Sequence, residues 1–394
     1  MNSNALRNII GCGIAIFWAG AITFGYPGLM STYWQETFGV GASETGLVVS
    51  IMLIALTLAM FASGPVLKKC GMSFCVIFAA ICYLIAFAIL FKAQNIYHVY
   101  IWAFIANFGG SFVYGPGLTT VQESMPEKRG LASGILNLVF GLSAAIMSPV
   151  LSRIMEDKGY NYVILLLVVG IALTYFASCL LLGAGAHAEK AKNAYKESDM
   201  SIRQAMETKQ FWCIWLVWVF MGAAGVSMIS LAKSYSVAIG ASSAFLLTAF
   251  NVTNGAIRIV AGTLIDHIGG RLTGMIAISI TAVGYFILPH TDNFFLAALC
   301  AMMVGIGFGT LFTITGPMVS GSFGFKNFPL IFGHVFTAYG FVAGIIGPVI
   351  AGLILSKTND NYVVVFTYLA VMALIGAIIM SFVKSNNKSA KQNV

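Results

Sequence analysis

The sequence predicts an all-α membrane protein with twelve transmembrane helices in two related six-helix halves. Three observations lead to this fold class. The chain of 394 residues is 59% hydrophobic and only 9% charged, and its mean hydropathy is +0.90, a composition that soluble domains do not have. Apolar stretches long enough to cross a membrane recur along the chain. Finally, the second half of the chain repeats features of the first.

Twelve apolar stretches have the length of a membrane span, which is about 20 residues for an α-helix. They cover residues 8–33, 44–66, 72–93, 98–122, 129–152, 161–185, 210–232, 242–265, 271–290, 294–319, 327–355 and 360–383. A polar stretch separates the sixth from the seventh. We therefore predict an N-terminal half at 1–185, a cytoplasmic linker at 186–209 in which Ser201 caps a short helix, and a C-terminal half at 210–394 that ends in a polar tail.

The basic residues predict the orientation of the chain, because short cytoplasmic loops retain Lys and Arg. If the N-terminus is inside, fifteen of the 21 lysines and arginines fall on the cytoplasmic side and five outside. Both termini are then cytoplasmic, in a plasma membrane or a bacterial inner membrane. The first apolar stretch is too long for a signal peptide and has no convincing cleavage site.

The two halves of the chain resemble each other when the sequence is shifted by about half its length, which indicates an internal duplication. Gly64–Gly71 (GPVLKKCG) aligns with Gly262–Gly269 (GTLIDHIG) at an offset of 198. At an offset of 199, six residues of the fifth span recur in the eleventh; they are Gly134, Gly141, Ala144, Ile146, Pro149 and Val150, opposite Gly333, Gly340, Ala343, Ile345, Pro348 and Val349. Duplicated halves around a central site are a transporter architecture.

The glycines, 42 in all, concentrate in the spans, where small residues let helices approach closely. Gly305 and Gly309 predict one such face on the tenth span. Gly340, Gly344 and Gly347 predict another on the eleventh.

Arg258 is the one basic residue deep inside a predicted span. An arginine in hydrocarbon costs at least about 2.5–3.5 kcal/mol, so it usually faces a watered, protein-lined cavity on a substrate pathway. No predicted span carries an Asp or Glu at comparable depth. Because the guanidinium is a fork of donors that fits a carboxylate, we predict that Arg258 binds an anionic substrate.

Residues three and four apart share a helix face, and those around Arg258 form one polar or small stripe on the eighth span. The stripe consists of Asn251, Asn254, Gly255, Arg258 and Gly262, whereas the repeat-related positions in the second span are Leu53, Leu56 and Met60. Only the second copy is therefore specialised for charge. We expect Asn254 to orient the guanidinium or to donate to the substrate, and Asn251 to lie on the same face.

The run FVYGPGLTTVQESMPEKRGLASGI, which joins the fourth span to the fifth, together with the paired glycine motif, resembles the major facilitator superfamily. Within that superfamily the chain looks like the oxalate/formate antiporter and monocarboxylate porter group. The resemblance implies a transporter that works by alternating access and in which Tyr114 helps to hold the substrate. Tyr26, beside Pro27 in the first span, is a further candidate ligand, and so are Trp218 and Met228 of the seventh.

The loop motif supplies candidate gating residues. The superfamily usually has an acid in this motif; the second half keeps it as Asp266, between Gly262 and Arg271, but the first half has Lys68. If this acid stabilises a closed conformation of the transporter, only one of the two stabilising contacts, that of Asp266, is retained. The alternative is that Asp266 is a loop carboxylate at a helix end.

The eleventh span bears on the charge of the substrate. The dicarboxylate exchangers that this chain resembles have a second basic residue there, whereas this sequence reads GHVFTAYG, with His334 and Tyr339. One fixed positive charge suits a monoanion such as lactate, pyruvate, formate or acetate. His334 can titrate near neutral pH, but on α-helical geometry it lies about 140° around the helix from Tyr339. Proton symport and anion exchange both remain open.

Other functions fit the sequence less well. An oxalate or dicarboxylate exchanger and an inorganic oxyanion carrier for nitrate or phosphate are the main rivals. An inorganic ion favours hydrogen-bond donors on all sides, whereas Phe308, Phe332 and Phe336 provide an apolar wall.

The five histidines are scattered and the seven cysteines form no CxxC pair, so we predict no enzyme, cofactor, metal site or disulfide. The dispersed basic residues do not form a nucleic-acid surface. We expect a monomer in contact with membrane lipids.

Overall fold

A computed structural model describes residues 3–182, 199–242 and 245–384. Within these ranges the chain is helical and contains no strand. The part of the predicted linker at 186–198 lies outside the described residues. Its end is described, and Ser201 is the N-cap of a short helix there: its hydroxyl accepts from the backbone N–H of Gln204, whose side chain accepts in turn from the Ser201 N–H. The predicted cap is confirmed.

The first half of the sequence forms six α-helices and one π-helical segment. They are α1 (Ser3–Gly20), π1 (Ala21–Gly25), α2 (Tyr26–Phe38), α3 (Ala42–Phe91), α4 (Ile96–Ser124), α5 (Arg129–Lys158) and α6 (Tyr160–Leu182). α1, π1 and α2 follow one another directly, and Pro27 lies in the first turn of α2. Asn95 caps α4 by accepting from the N–H groups of Tyr97 and His98.

The second half begins with the capped short helix and continues through the remaining spans. Its elements are α7 (Ile202–Met206), α8 (Lys209–Ala238), α9 (Phe245–Ile268), α10 (Gly270–Ile287), a 3₁₀ turn (Leu288–His290), α11 (Phe294–Phe323), α12 (Phe328–Thr337), π2 (Ala338–Ala343), α13 (Gly344–Ile346), α14 (Pro348–Lys357) and α15 (Tyr362–Phe382). Side chains of Thr208, Asn293 and Asn361 cap three of these helices.

Among the described residues, eleven helical segments are long and apolar enough to cross a membrane. Twelve were predicted, and the difference lies in α3, which runs through both the second and the third predicted spans. At Gly71 the backbone leaves the helical region, with φ 81° and ψ 172°. The long element therefore consists of two helices that meet at a break, and the predicted twelve-span fold class is confirmed.

The break at Gly71 has a counterpart in the second half. Gly269, at the predicted offset of 198, has φ 81° and ψ 157° and separates α9 from α10. A positive φ of this kind is readily adopted by glycine alone. The two copies of the glycine motif thus end in the same backbone turn, as the internal duplication requires.

The two π-helical segments were not predicted. π-helical turns are rare and are frequent at functional sites. In π2 the chain passes out of α-helical geometry after Thr337, so the predicted angle of about 140° between His334 and Tyr339 does not apply. For the same reason Gly340, Gly344 and Gly347 do not form the regular α-helical face that was expected.

The described residues divide into two compact units. Unit 1 takes its residues from Met1–Glu127, Val139–Asp199 and Phe325–Gly333; unit 2 takes them from Lys128–Leu138, Met200–Gly324 and His334–Val394. The start of α5 therefore belongs to unit 2, and the start of α12 belongs to unit 1. The organisation into halves at 1–185 and 210–394 stays a prediction.

Candidate functional site

Arg258 lies in α9 within unit 2, and none of its surface is exposed. Its Nε donates to the backbone oxygen of Asn254 (2.9 Å), and its Nη2 donates to the Asn254 Oδ1 (3.0 Å). Its Nη1 donates to the backbone oxygen of Asn137 in α5 (2.9 Å). Asn254 and the Asn137 carbonyl thus hold the guanidinium in place, and the role of Asn254 in substrate binding stays a prediction.

An aromatic ring supports the guanidinium from one side. The Arg258 Cζ lies 4.9 Å from the centre of the Phe312 ring in α11. A cation over an aromatic face is stabilised by about 0.5–2 kcal/mol, with the larger values where water is excluded. The Phe312 ring therefore adds a cation–π contact to the hydrogen bonds of the guanidinium.

Phe312 belongs to a buried aromatic cluster in unit 2 that also contains Tyr339. Its ring lies 4.9 Å from Trp218, 5.1 Å from Phe308 and 5.5 Å from Tyr339. Phe336 packs on Trp218 at 4.7 Å, and Tyr339 is 1% exposed. The structure therefore places Arg258 and Tyr339 against Phe312, with Asn254 bound to Arg258. The apolar wall expected from Phe308 and Phe336 is present in this cluster, whereas Phe332 packs on Phe328 in unit 1.

Glycines allow the helices to come this close. A Cβ on Gly309 of α11 would lie 2.3 Å from the backbone oxygen of Asn254, and one on Gly305 would lie 2.4 Å from that of Phe250. A Cβ on Gly225 of α8 would lie 2.0 Å from the Phe308 ring. The predicted close-approach face of Gly305 and Gly309 is thus confirmed, and it positions the carbonyl that binds Arg258.

Two further predicted residues, Asn251 and His334, lie in unit 2. Asn251 is half-buried on α9, one turn before Asn254. His334 is half-buried in α12, and its backbone oxygen accepts from the Thr337 hydroxyl at 2.7 Å. Their roles in substrate binding stay predictions.

Tyr114 and Tyr26 lie in unit 1. The Tyr114 ring packs against Phe140 at 4.8 Å and is 1% exposed. The Tyr26 ring lies in a buried cluster with Trp102 (5.2 Å), Phe87 (5.9 Å) and Trp34 (6.1 Å). Both tyrosines thus belong to the packed interior of unit 1, and their binding roles stay predictions.

Asp266, at the end of α9, binds the start of α5 inside unit 2. Its two carboxylate oxygens accept from the backbone N–H groups of Gly130 and Leu131, each at 3.0 Å. The first N–H groups of a helix have no partner within the helix and carry the positive end of its dipole. A carboxylate is the side chain that suits this position best, so Asp266 holds α5 against α9.

Gly262 makes the same contact possible by its lack of a side chain. A Cβ there would lie 2.7 Å from the Gly130 oxygen and 3.0 Å from the Gly134 Cα. Arg271, in the first turn of α10, and Lys68, in α3 of unit 1, are both exposed. Of the four candidate gating residues, the structure therefore brings together Asp266 and Gly262.

Sequence reasoning missed two residues of the site, Asn137 and Phe312. Asn137 is fully buried and takes part through its backbone oxygen, which no side-chain pattern reveals. Phe312 is one of 30 phenylalanines, and nothing in its neighbourhood marks it as the ring beside the cation. The sequence offered one indirect sign of Asn137. Gly134, which matches Gly333 in the repeat, lies one helical turn before Asn137 and marks this part of α5 as a helix contact.

These helices and this buried cation define an all-helical, membrane-spanning protein. The profile of the Major Facilitator Superfamily matches residues 12–244 and 230–394. The chain therefore belongs to the Major Facilitator Superfamily, whose members are transporters, and it is an integral membrane protein.

Proteins that are similar in sequence or in structure support this assignment. The chain is 25% identical over 290 residues to the oxalate:formate antiporter of Oxalobacter formigenes, which covers 71% of this chain and 68% of the antiporter. Among solved structures it is similar to a proton:xylose symporter (TM-score 0.74, 14% identity, 97% of this chain and 96% of the other). It is also similar to the Escherichia coli fucose:proton symporter (TM-score 0.72, 16% identity, 98% and 100%). The structural similarities establish the fold.

Proposed function

We propose that this transporter carries a small monocarboxylate, of the size of lactate, pyruvate, formate or acetate, and that Arg258 binds its carboxylate. The observation that carries the proposal is the geometry of Arg258. The side chain is fully buried, its orientation is fixed by Asn254, and its Nη1 donates to a backbone carbonyl.

A carboxylate is a stronger acceptor than that carbonyl. Charge-assisted hydrogen bonds are roughly twice as strong as neutral ones, and arginine binds carboxylates through two parallel N–H groups. In the proposed mechanism the substrate displaces the Asn137 oxygen from Nη1 and takes its place. Asn254 keeps Nε and Nη2 in position during the exchange, so the site needs little rearrangement.

The surroundings favour a monoanion with an apolar part. Phe312, Tyr339 and Phe308 form an aromatic wall beside the guanidinium, which suits a short carbon chain better than an inorganic ion that needs donors all round. The eleventh predicted span, 327–355, contains no Lys or Arg. The span that supplies a second positive charge in the dicarboxylate exchangers has His334 and Tyr339 in this chain, and a single fixed positive charge suits a monoanion better than a dianion such as oxalate.

Alternating access requires contacts that break and form again. We propose the Asp266 contact with Gly130 and Leu131 as one of them, because two hydrogen bonds from a helix start to one carboxylate can be lost and regained without unfolding either helix. Gly262 lets α9 and α5 return to the same close packing. Arg271 and Lys68, which belong to the glycine loop motif of the second and the first half, are proposed as further charged residues that take part in gating. Tyr114 and Tyr26 remain proposed contacts of the transported molecule.

Exchange of oxalate is the second candidate function, and it is favoured by the similarity to the oxalate:formate antiporter. A competition assay in proteoliposomes distinguishes oxalate exchange from monocarboxylate transport. Uptake of labelled lactate is measured against unlabelled formate, acetate, oxalate and nitrate, with and without an imposed pH gradient.

We expect monocarboxylates to compete and oxalate and nitrate to compete weakly. Stimulation by an inward proton gradient would indicate symport, and stimulation by internal anion alone would indicate exchange. Oxalate as the strongest competitor would replace the monocarboxylate proposal with the second candidate. Competition by nitrate alone would contradict both.

A further inference from the structure

An apolar groove lies on the surface of unit 1, between the end of α5 and the first half of α6. Its volume is about 400 Å³, which is within the range of sites that bind small organic molecules. Ile154 of α5 and Leu165, Leu166 and Val169 of α6 line it, and its surface is almost entirely apolar. The groove therefore suits a hydrocarbon chain rather than a small charged solute.

The groove follows α6 from the end of the span into the membrane. Tyr162 lies near the start of α6, and Gly170 lines the groove farthest along the same helix. Eight residues of an α-helix extend about 12 Å, and one leaflet of the hydrocarbon core of a bilayer is about 15 Å thick. The groove is thus long enough to hold much of one acyl chain.

The inner end of the groove is closed by a helix contact. A Cβ on Gly170 would lie 2.7 Å from the Cζ2 of Trp18 in α1. The Trp18 Nε1 donates to the Thr174 hydroxyl at 2.7 Å, and that hydroxyl donates to the Gly170 backbone oxygen at 2.7 Å. Because α6 is attached to α1 at this level, the inner end of the groove keeps its shape without a ligand.

A lysine lies at the mouth of the groove. Lys158 is the last residue of α5 and is exposed, and its Nζ lies 5.4 Å from the centre of the Tyr162 ring. Both residues line the groove. A cation over an aromatic ring is stabilised, and tyrosine is frequent where a membrane span meets the lipid headgroups. The ammonium group is thus placed at the level of the headgroups.

The acidic residues beside Lys158 have other partners. Asp157 pairs with Arg153 at 3.8 Å, and Glu156 accepts a hydrogen bond from the Ser152 hydroxyl at 3.3 Å. Within the part of the chain that the structure describes, Lys158 forms no salt bridge. Basic groups beside grooves between membrane helices attract anionic headgroups. The charge of Lys158 is therefore available to a bound anion.

We infer that this groove binds one anionic phospholipid, with an acyl chain along Leu165, Leu166 and Val169 and the phosphate paired with Lys158. A phospholipid matches both parts of the groove, because its chain is apolar and its phosphate is negative. A zwitterionic headgroup brings a second cation beside the lysine, so an anionic headgroup is favoured. The inference is independent of the molecule that the protein transports.

Lipid binding to the full-length protein in detergent tests the inference. The probes are dioleoylphosphatidylglycerol, which is anionic, and dioleoylphosphatidylcholine, which has the same chains and a zwitterionic headgroup. Native mass spectrometry measures the dissociation constant of the first lipid bound. Lys158→Gln removes the charge at the mouth, and Val169→Trp fills the groove from a position that is 47% exposed.

The chain offers a matched control for each variant. Lys357→Gln removes the lysine related to Lys158 by the offset of 199; it is also exposed at the end of its helix, α14, but the nearby Tyr362 packs its ring on Tyr235 at 4.8 Å. Leu173→Trp adds the same ring as Val169→Trp at an exposed position of α6 outside the groove.

We expect the unaltered protein to bind one phosphatidylglycerol more tightly than phosphatidylcholine. Lys158→Gln should weaken the binding of phosphatidylglycerol about fivefold, the contribution of one lysine beside anionic lipid, and leave that of phosphatidylcholine nearly unchanged. Val169→Trp should weaken the binding of both lipids. Lys357→Gln and Leu173→Trp should bind both lipids as the unaltered protein does.

Three results would overturn the inference. Equal affinity of the unaltered protein for the two lipids would remove the role of the charge, and an equal loss for Lys158→Gln and Lys357→Gln would assign it to general surface charge. Unchanged binding by folded Val169→Trp would place the lipid elsewhere. Size-exclusion chromatography checks folding, and Lys158→Gln, at an exposed position, decides the question if Val169→Trp does not fold. No uptake is measured, so failure of the proposed function leaves this test intact.

Discussion

The duplicated halves contain two repeat-related helix contacts, and their differences show how the two copies diverged. In unit 2, a Cβ on Gly134 of α5 would lie 2.6 Å from the backbone oxygen of Arg258 in α9. In unit 1, a Cβ on Gly333 of α12 would lie 3.4 Å from the backbone oxygen of Met60 in α3. Arg258 and Met60 are related by the offset of 198, and Gly134 and Gly333 by 199. The duplication has kept the same glycine against the same turn of its partner helix.

A second pair of positions repeats the same pattern one turn away. In unit 2 a Cβ on Gly262 would lie 2.7 Å from the backbone oxygen of Gly130; in unit 1 a Cβ on Gly64 would lie 2.4 Å from the Pro329 Cβ. Close helix packing is thus common to both contacts, since it depends on small residues that both copies retain.

The contact in unit 2 has a polar part, a carboxylate that binds the start of a helix. Asp266 accepts from the Gly130 and Leu131 N–H groups. At the related positions the contact in unit 1 has Lys68 and Pro329, a cation in place of the acceptor and a residue that has no N–H to donate. Both partners of the hydrogen bond between the Gly130 N–H and Asp266 are therefore different in unit 1, so Pro329 and Lys68 cannot form its counterpart. The second copy carries both the helix-binding acid and the substrate-binding arginine.

Substitution of the packing glycines should have the largest effect on stability, and in both copies. Gly262→Val and Gly64→Val each force a side chain into contact with the facing helix, and overpacking of this kind costs about 1–3 kcal/mol. We expect similar decreases in the midpoint of thermal unfolding for the two variants, measured by loss of monodisperse protein on heating. A large decrease for one and none for the other would show that the packing is not equivalent.

Removal of the Asp266 carboxylate should have a smaller effect, confined to one copy. Asp266→Ala leaves two N–H groups of α5 without this acceptor, a loss of about 1 kcal/mol. Asp266→Asn keeps one acceptor oxygen and should lose less.

Uptake kinetics provide a second measurement for the Asp266 variants. Since the contact is proposed to break and form again, Asp266→Ala should alter the maximal uptake rate more than the KM. Asp157→Ala, which removes an exposed acid paired with Arg153 at 3.8 Å, is the control. A change confined to KM would contradict a gating role.

The related change in the first copy should have the smallest effect. Lys68 is exposed, and substitutions of exposed side chains usually alter stability by no more than about 0.5 kcal/mol, so we expect Lys68→Ala to stay within that range. Uptake should stay within twofold of the unaltered protein. An effect of Lys68→Ala as large as that of Asp266→Ala would show that the first copy has a polar latch of another kind.

Hydropathy and the internal repeat were sufficient to predict the fold, because the length of a membrane span depends on local sequence and the repeat aligned Gly71 with Gly269. The stripe with Asn254 and Arg258 was also predictable from helix periodicity. The π-helical turns, the Phe312 ring and the Asn137 carbonyl were not, since each depends on how neighbouring helices pack. The unit boundaries within α5 and within α12 are tertiary features for the same reason.

The central claim is that Arg258 binds the carboxylate of the transported acid. Its most direct test is lactate uptake by Arg258→Gln, compared with Arg258→Lys and with Arg153→Gln, which removes an exposed arginine. Two charge-assisted hydrogen bonds of about 1.5–3 kcal/mol each predict a loss of at least about 100-fold for Arg258→Gln in protein that remains folded, partial activity for Arg258→Lys, and normal uptake for Arg153→Gln. Near-normal lactate uptake by folded Arg258→Gln would contradict the account.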